Sequence, residues 1–451
     1  MKILHIPFCF PPDPVGGTEV YVEALAHQQM ACGEQIIIAA PSPIARTPYS
    51  HKNLRVYRFT PAQTLNDVHE VYGAGDVQAA AGLAQILDAE KPDIVHLHTF
   101  TRATALRSLE QIRKRNIPLV FTYHIPGVSC QRGTLMRWGK LPCDGVLRLH
   151  TCASCVLHYR GLPRVASLLV GHTPVALGKK LAVLGDGGSL WTAIRMTELL
   201  DQGHAAFHTL MSYAENIVVL CQWTHDLLIA NGVAPEKVMV SPHGISWDQS
   251  ATNGPVRRSM PVTPEQPPLR IAFLGRIAPI KGCDILIKAL RQIPNIALSL
   301  DLYSIMQTTS SEVYQKQMIE LAQNDPRIRF LPMIPNDQVV ATLGSYDLLV
   351  VPSQCLETGP LVVLEAFASG IPVLGSQLGG IAELVNHDVN GLLVPYNDIK
   401  AWAAALHRLA TDPTLLYRLR AAVRPPRTMG AVADEMLTLY QSVLSRRQQA
   451  A

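Results

Sequence analysis

The chain has 451 residues, too many for one ordinary core, so two or three domains are expected. It is 48% hydrophobic and 16% charged, the composition of a soluble globular protein, and no run of eighteen uninterrupted apolar residues offers a transmembrane helix. The formal charge of +4 is too small to argue for a nucleic-acid partner, and suits an anionic small molecule or an anionic membrane surface.

Residues 1–7 read as a short buried strand that meets a loop at once, without the longer apolar core of a secretory signal. A cytoplasmic protein is expected, its nine cysteines reduced or metal-bound rather than paired. Short apolar runs alternate with helical stretches throughout, which predicts α/β architecture with parallel sheets covered on both faces. In the first half, strands are predicted over 2–6, 35–39, 54–59, 93–97, 119–122, 217–220 and 238–241. A helix follows the first strand, with Thr18 as N-cap and Gly33 as stop. The glycines Gly16 and Gly17 precede it, without the spacing of a dinucleotide fingerprint; a plain tight turn is the simple alternative. His96 and His98 alternate along the fourth strand, with one expected to be packed and neither catalytic. His124 ends the fifth strand, where a carboxyl edge raises its functional reading.

Cys130, Cys143, Cys152 and Cys155 are spaced by 12, 8 and 2 residues within a Cys-rich insert, 130–185. The close last pair suits thiolate ligation of a structural zinc, with His150 or His158 as substitutes; four independent small apolar residues are the alternative. Residues 159–185 mix aliphatic side chains with Arg160, Arg164, Lys179 and Lys180. This stretch could lie on an anionic membrane face, but covering the cysteine module as part of the core is the preferred reading. Residues 246–268, rich in proline, serine and threonine, read as a linker between domains 1–245 and 246–429.

Strands of the second half are predicted over 269–274, 297–302, 328–331, 348–351, 372–374 and 391–394. The first is followed at once by Gly275, Arg276, Lys281 and Gly282. After the fourth, Pro352 opens a loop carrying Glu357. Gly359 and Pro360 then begin a helix, with the proline at its first position, and Glu365 lies in the second turn. Amides around Gly359, Leu361 and Val362 form a positive terminus suited to an anion. Two acceptor-only carboxylates beside an anion cradle suit a ligand carrying phosphate and several hydroxyls, such as a nucleotide-sugar.

The constellation from Glu357 to Glu365 resembles the two-glutamate signature of retaining glycosyltransferases of the GT-B fold, most closely family four (glycosyl transferases group 1). The likeness continues through Ala366 to Val373, Gly379, Gly380, Glu383 and Asn390 to Leu392, and is looser in the first half. It implies two doubly wound Rossmann-like domains facing across a cleft, with the last helix, 430–446, packing back on the first. By resemblance Glu365 holds the donor ribose and Glu357 contacts the transferred sugar. Arg276 and Lys281 grip the diphosphate, Gly16 and Gly17 approach the phosphates, and His124 reaches the sugar. One departure is the stretch Tyr303 to Met306, where the family often carries a glycine-bearing loop.

No Asp-x-Asp pair occurs, so cations and helix amides are expected to replace a divalent ion, leaving no catalytic cofactor. The reading is a hexosyl-type retaining glycosyltransferase of polysaccharide or glycolipid synthesis. It moves sugar from a nucleotide-diphosphate-sugar to a glycan or lipid-linked acceptor, with possible peripheral contact at the inner membrane face. An epimerase or phosphorylase on the same architecture, or a non-catalytic two-lobed sugar-binding protein, are the alternatives.

Overall fold

A computed structural model describes residues 1–14, 16–65, 67–183, 188–246, 268–305 and 309–450. It divides into two compact units, Met1–Pro242 with Val432–Ala451, and His243–Ala431. The stretch read as a linker lies almost wholly outside the described residues.

The first unit is built on β1 (Lys2–Ile6), β2 (Gln35–Pro41), β3 (Tyr49–His51), β4 (Leu54–Phe59), β5 (Ile94–Leu97), β6 (Leu119–Tyr123), a separate hairpin of β7 (Met136–Arg137) and β8 (Leu141–Pro142), β9 (Asn216–Val219) and β10 (Val238–Val240). Its main sheet has the order β10-β9-β6-β5-β1-β2-β4-β3 and is parallel but for β3 against β4. Neither β3 nor the hairpin is predicted from sequence. Each is two or three residues long, too short for a period-two signal. The first helix, Gly17–Ala31, starts two residues earlier than expected and is capped by Gly16 rather than Thr18. There the Glu19 carboxylate accepts the Gly16 amide at 2.8 Å, the reach-back half of a capping box, and so favours the start at Gly16.

The second unit carries β11 (Leu269–Arg276), β12 (Leu298–Ile305), β13 (Ile328–Leu331), β14 (Leu348–Val351), β15 (Val373–Ser376) and β16 (Gly391–Val394), all parallel in the order β13-β12-β11-β14-β15-β16. Alternation along each strand sends successive side chains to opposite faces. Ile271, Phe273, Leu348 and Val350 join a core that includes Trp402 and Leu406, whereas Ala272, Leu349, Val351 and Val373 join another that includes Val363 and Phe367. Both faces are therefore dry, which is why these strands read as continuous apolar runs.

Candidate functional site

In the second unit the candidate residues gather on the loops after β11 and β14, neighbouring parallel strands whose carboxyl ends lie side by side. Arg276 is exposed as the last residue of β11. A short 3-10 turn, Pro279–Lys281, follows, and Gly282 ends it in the left-handed region at φ 71°. A Cβ there would stand 1.9 Å from the Pro352 carbonyl oxygen, so only glycine lets the two loops touch. The Gln354 amide seals the contact on the Ile280 carbonyl at 2.7 Å.

This approach brings Lys281 Nζ to 2.5 Å from Glu357 Oε1, which also accepts the Ser353 hydroxyl at 2.8 Å. Burial alone would raise the Glu357 carboxyl. Lys281, Ser353 and the charge of Arg276 outweigh it and hold the group below the usual carboxylate range. Burial likewise opposes the charge on Lys281, and Glu357 more than restores it. Both ions therefore persist at neutral pH. Sequence reasoning places each residue here but misses their pairing and the part of Ser353, because no local pattern signals a contact across 76 residues.

The Glu357 backbone is clamped from the other side. The Gly380 amide donates to the Glu357 carbonyl at 2.7 Å, and a Cβ on Gly379, at φ 47°, would press on the Glu357 backbone at 2.9 Å. The helix Leu361–Ala368 begins four residues later. Pro360, expected as the first helical residue, is instead its N-cap, so the helix begins one residue later, and no side chain caps the turn. The amides of Leu361 and Val362 head this terminus, with Gly359 on the loop before it. Glu365, a turn further on, has no hydrogen-bond or ion-pair partner among the described residues. Burial pushes its carboxyl up to about 7. A half-buried carboxylate without a protein donor is costly to ionise unless a ligand supplies one.

In the first unit, Gly16 and Gly17 form the start of the first helix. His124 follows β6, is 6% exposed, and packs edge-on against Tyr21 with ring centroids 4.9 Å apart. Its Nε2 lies 3.1 Å from His98 Nδ1. Both His96 and His98 are fully buried, where only one is expected to be packed. The physical reason is that the interior supplies a polar partner to every ring nitrogen of both.

Cys130, Cys143, Cys152 and Cys155 all line one cavity of about 210 Å³. Cys152 and Cys155 sit on the helix Leu149–Tyr159, and Cys155 Sγ accepts the Trp138 amide at 3.3 Å. Burial first, and then the neighbouring cysteines, push the Cys152 thiol up to about 11. The sulfurs are spread wider than a coordination shell: among the described residues, the set of potential ligand atoms within 4.8 Å of one another belongs to His5, His96 and His98. His150 and His158 each donate from Nδ1 to a backbone carbonyl, of Gly171 at 3.2 Å and of Leu162 at 3.0 Å. The stretch beyond, expected to cover the cysteine module as part of the core, does so only in part. Leu162 and Val170 pack against the cluster of Ala153, Val156 and Leu157, but in the helices Arg164–Val170 and Val175–Val183 only Ser167 and Gly178 are fully buried.

Two family models match the chain: glycosyl transferases group 1 over residues 259–424 and glycosyl transferase 4-like domain over 16–176. Among curated proteins, the D-inositol 3-phosphate glycosyltransferase of Nocardia farcinica is 32% identical over 217 residues, 43% of this chain and 47% of that one. The same enzyme of Salinispora tropica is 39% identical over 151 residues, 32% of this chain and 31% of that one. The chain thus spans about half or less of the length of the curated relatives it matches. Among solved structures, sucrose-phosphate synthase of Thermosynechococcus elongatus has a TM-score of 0.64 at 18% identity, covering 99% of this chain and 100% of that one. Starch synthase IV of Arabidopsis thaliana, bound to ADP and acarbose, has a TM-score of 0.61 at 14% identity, with 99% of each chain covered. Architecture and likeness together define a GT-B glycosyltransferase fold, α/β with two parallel-sheet domains. The chain belongs with the group 1 glycosyltransferases, resembling family four.

Proposed function

We propose that the protein transfers a sugar from a nucleotide-diphosphate-sugar to a hydroxyl of a glycan or lipid-linked acceptor, with retention and without a catalytic metal. The observation that carries this is the ion pair Lys281–Glu357 beside Arg276, with the partnerless carboxylate of Glu365 on the neighbouring helix. Lysine has three N–H donors, so Lys281 can keep Glu357 and still donate to a phosphate. With Arg276 and the helix amides it would meet the charge that develops on a departing diphosphate. Glu357, held ionised, suits a sugar hydroxyl as donor, and Glu365 suits the ribose diol. His124, in the first unit, is read as a further sugar contact. The solved relatives described as bound to UDP-glucose, from Anabaena, and to ADP, from Arabidopsis, support a nucleotide ligand.

Two subsidiary readings belong here. The common cavity supports a structural zinc held by Cys130, Cys143, Cys152 and Cys155; mutual repulsion of the thiolates is what a dication would relieve, after side-chain rotations that draw the sulfurs together. The exposure of Val165, Leu169 and Val183, at 72%, 74% and 87%, beside Arg164, Lys179 and Lys180, supports peripheral contact with an anionic membrane from the cytoplasmic side. The test of the main reading is a thermal-shift series with UDP, GDP and ADP and their glucose adducts. A ligand that binds only the folded protein raises its melting temperature, so a series without any shift removes the donor assignment.

A further inference from the structure

The first unit encloses a chain of buried polar side chains that, apart from His124 at one end, the donor chemistry does not use. From Gln29 it runs two ways. On one side Gln29 Oε1 lies 2.8 Å from His5 Nε2, His5 Nδ1 lies 3.0 Å from His98 Nε2, and His98 Nδ1 lies 3.1 Å from His124 Nε2. On the other, Gln29 Nε2 donates to the Tyr440 hydroxyl at 3.4 Å, which lies 2.5 Å from His96 Nδ1, and His96 Nε2 lies 2.7 Å from Thr122 Oγ1. His5 sits in β1 opposite His96 in β5, and Tyr440 comes from the last helix, Met429–Ala450.

The amide of Gln29 has one end that can only accept and one that can only donate, so it sets the direction of every proton in the chain. Its oxygen requires a proton on His5 Nε2. Burial holds the His5 ring neutral, with its pKa lowered to about 4, so His5 Nδ1 must accept. His98 then donates from Nε2; its complete burial, with another imidazole facing each ring nitrogen, disfavours the charged ring, so it accepts at Nδ1, which requires His124 to donate from Nε2. In the other branch Tyr440 accepts from Gln29 and gives its own proton to His96 Nδ1, so His96 carries its proton on Nε2 and donates to Thr122. His96 is also kept neutral, its pKa well below the usual value through burial and the neighbouring His5 and His124.

The proton count closes with every ring nitrogen of His5, His96 and His98 engaged. These three imidazoles are also the metal-like set of the described residues, but the hydrogen bonds already account for their spacing without a cation.

We propose that His98 is a positioning residue: anchored through His5 to Gln29, it locks His124 as the neutral Nε2–H tautomer, in which Nδ1 is an acceptor. This rests on the reading of His124 as a site residue of the transferase, while the tautomer itself does not. His124 is thereby an acceptor for a substrate hydroxyl instead of a competing cation.

Two-bond nitrogen–proton correlation spectra of the full-length protein labelled in histidine test the lock without any substrate. The expected result is that His5, His96, His98 and His124, assigned by single substitution, are all neutral Nε2–H tautomers at pH 7. An Nδ1–H or charged form at His124 or His98 overturns the proposal, and so does a metal-shifted set at His5, His96 and His98. For the functional consequence, His98→Phe keeps the ring volume but removes the acceptor, and His98→Asn places a carbonyl where Nδ1 was. Turnover is expected to fall on the order of tenfold in the first, the usual cost of losing an orienting partner, with donor affinity kept and with recovery in the second. Equal activity of H98F and the wild type reduces His98 to packing and overturns the positioning role. Should wild-type protein transfer no sugar at all, the functional reading falls while the spectra still decide the relay.

Discussion

Glu365 is the residue whose environment makes the sharpest demand. Its carboxyl is raised from an ordinary 4.5 to about 7, so between those values the folded protein holds a proton that the unfolded chain has released. Stability should therefore fall as pH rises through this window, and stay level above it. Glu365→Gln cannot ionise, and its melting temperature is expected to exceed that of the wild type by a margin that grows from about pH 4.5 to about pH 7. Parallel melting curves at several pH values check this, and curves that run parallel across the window contradict it. Glu357 behaves in the opposite way. Its pKa is depressed, so the Lys281 pair contributes at neutral pH and is lost only as acid protonates the carboxylate.

At the scale of elements, the two loops that carry the site depend on the close approach at Gly282. Gly282→Ala adds a Cβ against the Pro352 carbonyl at 1.9 Å in a left-handed backbone, and should cost about 2–4 kcal/mol, read from urea unfolding. A change under about 0.5 kcal/mol would mean the loops separate freely. The same region shows what the sequence makes legible. The parallel strands of both sheets are legible as apolar runs because both faces are buried, and β14 with its loop and helix follows from the punctuation by Pro352, Gly359 and Pro360. The Lys281–Glu357 contact is not, since it depends on which strands lie side by side. Nor is the relay: His-x-His at His96 and His98 is visible, but its partners His5, Gln29 and Tyr440 meet it only through the register of β1 on β5 and the docking of the last helix.

The helices Arg164–Val170 and Val175–Val183 make a further element-scale case. If they contact membrane, the protein should sediment with vesicles containing phosphatidylglycerol but not with purely zwitterionic ones. Leu169→Asp with Val183→Asp should abolish this, and salt should weaken it. Equal sedimentation of the double variant would locate the contact elsewhere.

For the whole molecule, the account holds that cationic side chains and helix amides do the work of a divalent ion. Sugar transfer should survive exhaustive EDTA in the short term; a slow loss together with unfolding would instead report zinc leaving the cysteine cavity, which elemental analysis can count. The most direct measurement is calorimetric titration of nucleoside diphosphates, in EDTA, into wild-type protein and Glu365→Ala side by side. The account predicts that at least one nucleotide binds the wild type without metal. It also predicts that the substitution weakens that binding by about tenfold to a hundredfold, the worth of a charged hydrogen bond. Equal affinity in the two proteins, or binding that appears only when magnesium or manganese is restored, would contradict it.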